Sequence, residues 1–193
     1  ANCDYVCLNS TLSGSGKIIK QKINSLCSEK LAKFKAKGIK TSIRALVVGI
    51  PNSGKSTLVN NLCGKAKAIT GNKPGVTKFN QWVAIGDNIE LCDTPGTLYP
   101  NLENQEIAKK LCLIGSIKDQ IFDEVELALE LIKMLEEKYP TAVEERFKGA
   151  KTLEEIAEKR GYKLKEGEPD IERTASAVID DFRKGRMGRI TLD

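Results

Sequence analysis

The sequence predicts an α/β core followed by a small all-α region, and three observations carry that prediction. The apolar run Ile43, Ala45, Leu46, Val47 and Val48 reads as a buried strand. It leads into Gly49-Ile50-Pro51-Asn52-Ser53-Gly54-Lys55-Ser56, a G-x-x-x-x-G-K-[ST] loop that passes into a helix at Leu58, Val59 and Leu62. A second short strand, Ile89-Glu90-Leu91-Cys92, ends in Asp93-Thr94-Pro95-Gly96. From residue 119 onward the apolar spacing is helical. The expected division is a nucleotide-binding core over 1–118 and a helical domain over 119–193, a comfortable fit to 193 residues.

The elements follow in order. Asp4-Tyr5-Val6-Cys7-Leu8 reads as a strand, and Asn9-Ser10-Thr11-Leu12-Ser13-Gly14-Ser15-Gly16 as the polar loop after it. A long helix is expected over about 17–37, because Ile19, Ile23, Leu26, Cys27, Leu31 and Phe34 keep three-to-four spacing. Gly38 ends it. After the phosphate loop, Asn72-Lys73-Pro74-Gly75-Val76-Thr77 is a further loop. Downstream, Glu106-Ile107-Ala108 and Leu111-Cys112-Leu113-Ile114 lead into the helical part. Glu124 to Lys138 is a strong amphipathic helix, stopped by Tyr139-Pro140. Thr141 and Thr152 each open a helix with a capping pattern. Glu166-Gly167-Glu168-Pro169-Asp170 is a loop, and Ile171 to Phe182 is the last helix.

The phosphate loop carries the clearest chemistry. Its glycines let backbone N–H groups turn inward around phosphate oxygens, and the helix N-terminus adds a favourable dipole. Asn52, Ser53, Gly54, Lys55, Ser56 and Thr57 are therefore the phosphate-binding candidates. Lys55 can reach the β- and γ-phosphates, and Ser56 can ligate Mg²⁺. The plainer alternative is a glycine-rich strand-to-helix turn with no ligand. Asp93, at a strand end, can hold Mg²⁺ through water, and Gly96 can bring a backbone N–H to the γ-phosphate. Asp-Thr-Pro-Gly is also a good turn sequence. Thr77 offers a hydroxyl that would complete the Mg²⁺ shell, or is an ordinary loop threonine. The three segments in this order favour a GTPase. An ATPase or small-molecule kinase stays open, because no guanine-reading Asn-Lys-x-Asp motif is visible.

The segments Gly49-Ile50-Pro51-Asn52-Ser53-Gly54-Lys55-Ser56, Pro74-Gly75-Val76-Thr77, Gln81-Trp82 and Asp93-Thr94-Pro95-Gly96 resemble the circularly permuted GTPases of the RbgA/YlqF type. These are assembly factors for the large ribosomal subunit. Pro169-Asp170-Ile171-Glu172-Arg173 and Gly188-Arg189-Ile190 extend the resemblance through the chain. It implies a P-loop NTPase core in permuted order, a late-core segment preceding the phosphate loop, then a small all-α C-terminal domain. Asn9 and Ser10 then fall in the loop that touches guanine through backbone groups; a plain strand-to-helix loop explains them nearly as well. Lys55 and Thr77 become the catalytic candidates. Asn52 takes the position where the family can bind a K⁺ ion in place of an arginine finger; the alternative is an Asn that tolerates the turn. The implied ligands are GTP or GDP, Mg²⁺ and K⁺. The implied partner is the immature large ribosomal subunit and its rRNA, met by a cytoplasmic monomer with no membrane involved.

Two features depart from the family pattern. Asn72-Lys73-Pro74-Gly75 lacks the Asp of the guanine motif and lies in the wrong place. In the family that motif precedes the strand at 4–8, and this chain opens on Ala1, so it reads as shortened at its N-terminus. Thr97, followed by Leu98, stands where many GTPases carry a water-orienting Gln. The family's N-terminal histidine has no counterpart, because the chain contains no His. Slow intrinsic hydrolysis, stimulated by a partner that orders the switch loops, is the expectation. Residues 94–104 are expected to sense the γ-phosphate and pass that state to the helical part. The competing expectation is a catalytically idle RNA- or protein-binding module that holds nucleotide as a structural ligand.

Charge is unevenly distributed. Residues 1–118 hold 17 Lys+Arg against 7 Asp+Glu, while residues 119–193 hold 14 against 19, so the basic surplus belongs to the core. It concentrates in Lys17, Lys20, Lys22, Lys30, Lys33, Lys35, Lys37, Lys40 and Arg44. That run is either a solvated helix face or an rRNA footprint, and the resemblance favours the second. Arg183-Lys184-Gly185-Arg186-Met187-Gly188-Arg189 either touches RNA or finishes the chain. No apolar stretch is long enough to span a membrane. Six cysteines without C-x-x-C spacing, and no His to join them, do not suit a metal cluster. Cys27, Cys63 and Cys112 read as buried free thiols of a reducing cytosol.

Overall fold

The computed structural model describes residues 4–10, 12, 14–64, 77–86, 88–98, 104–118 and 121–192. The loop expected over 72–76 lies outside them, apart from Thr77. Two compact units make up the chain, Ala1–Tyr99 and Pro100–Asp193.

The first unit is α/β. Helices α1 (Ser15–Leu26) and α2 (Ser28–Ala36) precede strand β1 (Ile43–Val47) and helix α3 (Lys55–Cys63), followed by β2 (Gln81–Ala84) and β3 (Ile89–Asp93). The sheet order is β1-β3-β2, with β1 parallel and β2 antiparallel to β3. Strand alternation selects the buried face. Ile43, Ala45 and Val47 of β1, Val83 of β2, and Ile89 and Leu91 of β3 pack with Val59 and Leu62 of α3 and with Ile19 and Ile23 of α1. On the other face Arg44 pairs with Glu90 at 3.1 Å and lies 5.3 Å from the Trp82 ring. The register sets Val47 beside Asp93. The carboxyl ends of the two parallel strands therefore lie together, the place where open α/β sheets bind ligands.

Two expectations for this unit need correction. Residues 4–8 are not a strand, and Tyr5 is 87% exposed. An apolar run becomes a strand only with a partner and a face to pack against, and neither is found among the described residues. The single helix expected over 17–37 is two. The backbone leaves helical geometry at Cys27 (φ −102°, ψ 4°), where Ser28 Oγ donates to the Ser25 carbonyl at 2.8 Å and competes with the helical ladder. Cys27 and Cys63 are half-buried rather than buried, while Cys92 and Cys112 are buried; the described cysteines are free thiols.

The second unit is helical: α4 (Gln105–Leu113), α5 (Glu124–Lys138), α6 (Ala142–Arg146), α7 (Leu153–Arg160) and α8 (Ile171–Arg183). Asn104, Asp123 and Asp170 cap α4, α5 and α8 through their side chains, and Thr152 with Glu155 forms a capping box on α7. Thr141 does not cap α6. Its own backbone is already helical (φ −94°, ψ −12°), which is not the extended geometry a cap requires. The core joins Leu127, Leu131 and Leu135 of α5 to Val143, Phe147, Leu153, Ile156 and Val178.

The unit begins earlier than residue 119 because α4 packs with the helices. Lys109 binds Glu126 at 2.9 Å and hydrogen-bonds Glu130, both on α5. Arg183 of α8 donates to the carbonyls of Cys112 (2.6 Å) and Leu113 (2.9 Å).

Asp181 is 1% exposed and accepts from Arg146 Nε at 2.8 Å, from Arg186 at 2.7 Å and from Arg160. Burial alone would raise its pKa, but the hydrogen bonds from Arg146 and Arg186 and the charge of Arg160 hold it below the usual carboxylate range. Asp181→Asn is therefore expected to destabilise the helical unit by about 2 kcal/mol at neutral pH, since three partly exposed guanidiniums lose the buried carboxylate that pairs them. A depressed carboxyl contributes stability above its unfolded value and loses it as pH falls through the folded one. Urea unfolding should accordingly show the gap between variant and parent narrowing below about pH 4. A gap that is constant from neutral pH to pH 3 would remove the ionic explanation.

Candidate functional site

β1 ends at Val47, and the chain turns through 49–54 into α3. Asn52 (φ 58°) and Gly54 (φ 84°), the N-cap of α3, take left-handed backbone, which Gly adopts at no steric cost and Asn tolerates. The first N–H groups of a helix have no intrahelical partners and carry positive partial charge, so this end can receive an anion. Lys55 Nζ donates to the Ile50 carbonyl at 2.7 Å, and Ser53 Oγ donates to the same carbonyl at 2.8 Å. The loop thus closes on its own lysine. Desolvation lowers the Lys55 pKa, and the Asp93 carboxylate only partly offsets that. Thr57 is half-buried in the first turn of α3, while Asn52 and Ser53 are exposed.

Three oxygen-bearing side chains meet at the end of β3. Ser56 Oγ donates to Asp93 Oδ2 at 2.7 Å and lies 3.0 Å from Thr77 Oγ1. Asp93 is fully buried, and its Oδ1 has no hydrogen-bond partner among the described residues. Such an oxygen is costly unless water or a cation satisfies it. Two hydroxyls and a carboxylate are hard donors, and Mg²⁺ takes few protein oxygens while keeping several waters. The donor set therefore fits Mg²⁺.

The segment after Asp93 lies on the phosphate loop. Thr94 Oγ1 donates to the Val47 carbonyl at 2.6 Å, and the Thr97 N–H donates to the Gly49 carbonyl at 3.1 Å. Between them, a Cβ on Gly96 would sit 2.5 Å from Pro51 Cα and N. No real Cβ comes so close, so only glycine permits this approach. Of the expected sensing loop, 99–103 lie outside the described residues.

Asn9 and Ser10 are brought to the same place. A Cβ on Gly54 would lie 3.2 Å from Ser10 Oγ. Asn61 of α3 holds this segment, its Nδ2 donating to the Ser10 carbonyl at 2.9 Å and the Leu12 carbonyl at 2.7 Å. Nothing in the sequence marks Asn61. A polar helix residue carries no sign that it reaches a loop 51 residues upstream.

The family description "50S ribosome-binding GTPase" matches residues 44–164. "Ribosome biogenesis GTPase A" of Bacillus licheniformis is 41% identical over 176 residues, covering 87% of this chain and 62% of that protein. The protein of the same name from Thermotoga maritima is 37% identical over 153 residues, covering 78% of this chain and 56% of that one. Among solved structures, GNP-bound YlqF from T. maritima matches with a TM-score of 0.56 and 30% identity, over 84% of this chain and 64% of that one. The chain thus spans less than two thirds of the length of these relatives.

Proposed function

This chain belongs to the 50S ribosome-binding GTPase family, in its RbgA/YlqF branch, and we propose that it binds GTP and GDP with Mg²⁺, hydrolyses GTP and serves assembly of the large ribosomal subunit. The observation that carries this reading is the meeting of Ser56, Thr77 and Asp93 beside Lys55, with the Asp93 Oδ1 unpaired among the described residues. Ser56 and Thr77 would hold Mg²⁺ directly, and Asp93 through water. The metal, when bound, neutralises charge developing on the phosphate oxygens. Lys55 exchanges the Ile50 carbonyl for the β- and γ-phosphates, which offsets its desolvation. Backbone amides of Ser53, Gly54, Lys55, Ser56 and Thr57 take the remaining phosphate oxygens, and that of Gly96 takes the γ-phosphate. Asn9 and Ser10 face the base. Asn52 is the K⁺ candidate.

Catalysis by these residues is positional and electrostatic, with Lys55 and Thr77 in contact with the reacting phosphate. Thr97 stands in the glutamine position, so that position supplies no water-orienting amide. Hydrolysis by the chain alone is therefore slow and awaits a partner. That partner is the immature large subunit with its rRNA, met by a cytoplasmic monomer. No helix among the described residues is long and apolar enough to cross a membrane.

The lysines of α1 and α2 support the RNA contact. α2 buries no residue, and Lys30, Lys33 and Lys35 are exposed on it. Replacing Lys33 and Lys35 by Gln should flatten the dependence of log affinity on log salt by roughly one for each lysine that meets a phosphate. Filter binding to large-subunit rRNA across a salt series measures this. An unchanged slope would turn α2 back into a solvated face.

Phosphate release by the full chain, alone and with large ribosomal subunits, tests the reading as a whole. Slow release that rises on adding subunits is expected. Tens of turnovers per second without subunits would contradict the account. GTP binding without hydrolysis under either condition would favour the idle nucleotide-dependent module. Equal rates in matched NaCl and KCl would remove the K⁺ role of Asn52 alone.

A further inference from the structure

Asn9, Ser10 and Leu12 are held through their carbonyls by side chains of α1 and α3. The Asn9 carbonyl accepts from the buried Ser15 hydroxyl and from the Leu12 N–H at 3.1 Å. The Ser10 and Leu12 carbonyls accept from the Asn61 amide, at 2.9 and 2.7 Å. Leu12 O also accepts from the Ser15 N–H at 3.1 Å. Asn61 in turn is gripped by α1, where a Cβ on Gly16 would lie 3.3 Å from both Asn61 O and Asn61 Oδ1. One helix thus carries both functions. α3 offers its N-terminus and Lys55 to phosphate, and two turns later it holds, through Asn61, the loop beside Gly54.

We propose that Asn61 is a positioning residue for base recognition, setting where Ser10 and Leu12 stand relative to the phosphate-binding end of α3. This rests on the guanine-nucleotide reading above. The two tasks separate along the helix. Phosphate affinity depends on the first turn of α3 and on the loop 49–54, whereas the Asn61 amide bonds to the Ser10 and Leu12 carbonyls. Discrimination between bases depends on the loop that Asn61 holds at two carbonyls. Loss of the amide therefore loosens the base end and spares the phosphate end.

The test is displacement of a fluorescent GDP analogue from the full chain with Mg²⁺, using unlabelled GDP, ADP and pyrophosphate, in the parent, Asn61→Ser and Asn61→Ala. Each variant is read below its melting temperature. Asn61→Ala is expected to lose about tenfold in GDP affinity, the order expected for two hydrogen bonds. Its preference for GDP over ADP should fall by a similar factor, with pyrophosphate affinity unchanged. Asn61→Ser, which keeps one donor, should lie between. An unchanged GDP-to-ADP ratio in Asn61→Ala would overturn the proposal. So would a parallel loss of GDP and pyrophosphate affinity, which would mark a merely structural role. A parent that does not prefer GDP to ADP would remove the guanine reading itself, and this proposal with it.

Discussion

Lys55→Met is expected to weaken GTP and GDP binding by about a hundredfold or more, and to remove measurable hydrolysis. The ammonium is a full positive charge placed at the phosphate loop, 2.7 Å from the Ile50 carbonyl. Charge-assisted hydrogen bonds contribute about 1.5–3 kcal/mol each, and two phosphates would share this group. Methionine keeps the apolar stem but donates nothing. The Ile50 carbonyl retains the Ser53 hydroxyl at 2.8 Å, so the fold should survive and the melting temperature should move little. Titration calorimetry with both nucleotides measures the effect. Parent-like affinity would show that the loop binds no phosphate.

Gly96→Ala should separate the two nucleotides. The added methyl would meet Pro51 Cα and N at 2.5 Å and Pro51 Cγ at 2.7 Å, and two of those atoms are backbone that cannot rotate away. The segment 94–97 must lift, which breaks the bond from the Thr97 N–H to the Gly49 carbonyl. GDP has no γ-phosphate to lose, so its affinity should stay near the parent value. GTP hydrolysis should fall by roughly a hundredfold, the order that a displacement of about 1 Å near a reacting centre can produce. Overpacking should also remove about 1–3 kcal/mol of stability, visible in urea unfolding. Single-turnover hydrolysis together with GTP and GDP titrations decides the matter. Parent-like turnover would mean that Gly96 does not serve the γ-phosphate.

Legibility in the sequence follows how local each determinant is. β1, the phosphate loop and α3 are readable because strand, turn and helix chemistry occupy one contiguous stretch ending at Cys63. The bounds of α5, Glu124–Lys138, follow from its own periodicity and the Tyr139-Pro140 stop. Non-local determinants are silent. β2 has one buried residue, Val83, and exists because it pairs with β3. The segment 4–8 has strand-forming residues and no partner among the described residues. Thr141 and Thr152 carry the same capping signature, and the backbone entering each helix decides between them: ψ is −12° at the first and 162° at the second. In the candidate site, Ser56, Asp93 and Thr77 could be named from their motifs, but their meeting at 3.0 Å or less depends on the register that sets Val47 beside Asp93. Asn61 acts through residues distant in sequence, as does Asp181 apart from its near neighbour Arg186.

The most direct test of the central claim is equilibrium titration of a fluorescent GDP analogue with Mg²⁺, competed by unlabelled GDP, GTP and ATP, and repeated after Mg²⁺ is chelated. Displacement by both guanine nucleotides, little displacement by ATP, and weaker binding without Mg²⁺ are expected. Preferential displacement by ATP, or affinity indifferent to Mg²⁺, would contradict a GTPase site built on Lys55, Ser56, Thr77 and Asp93.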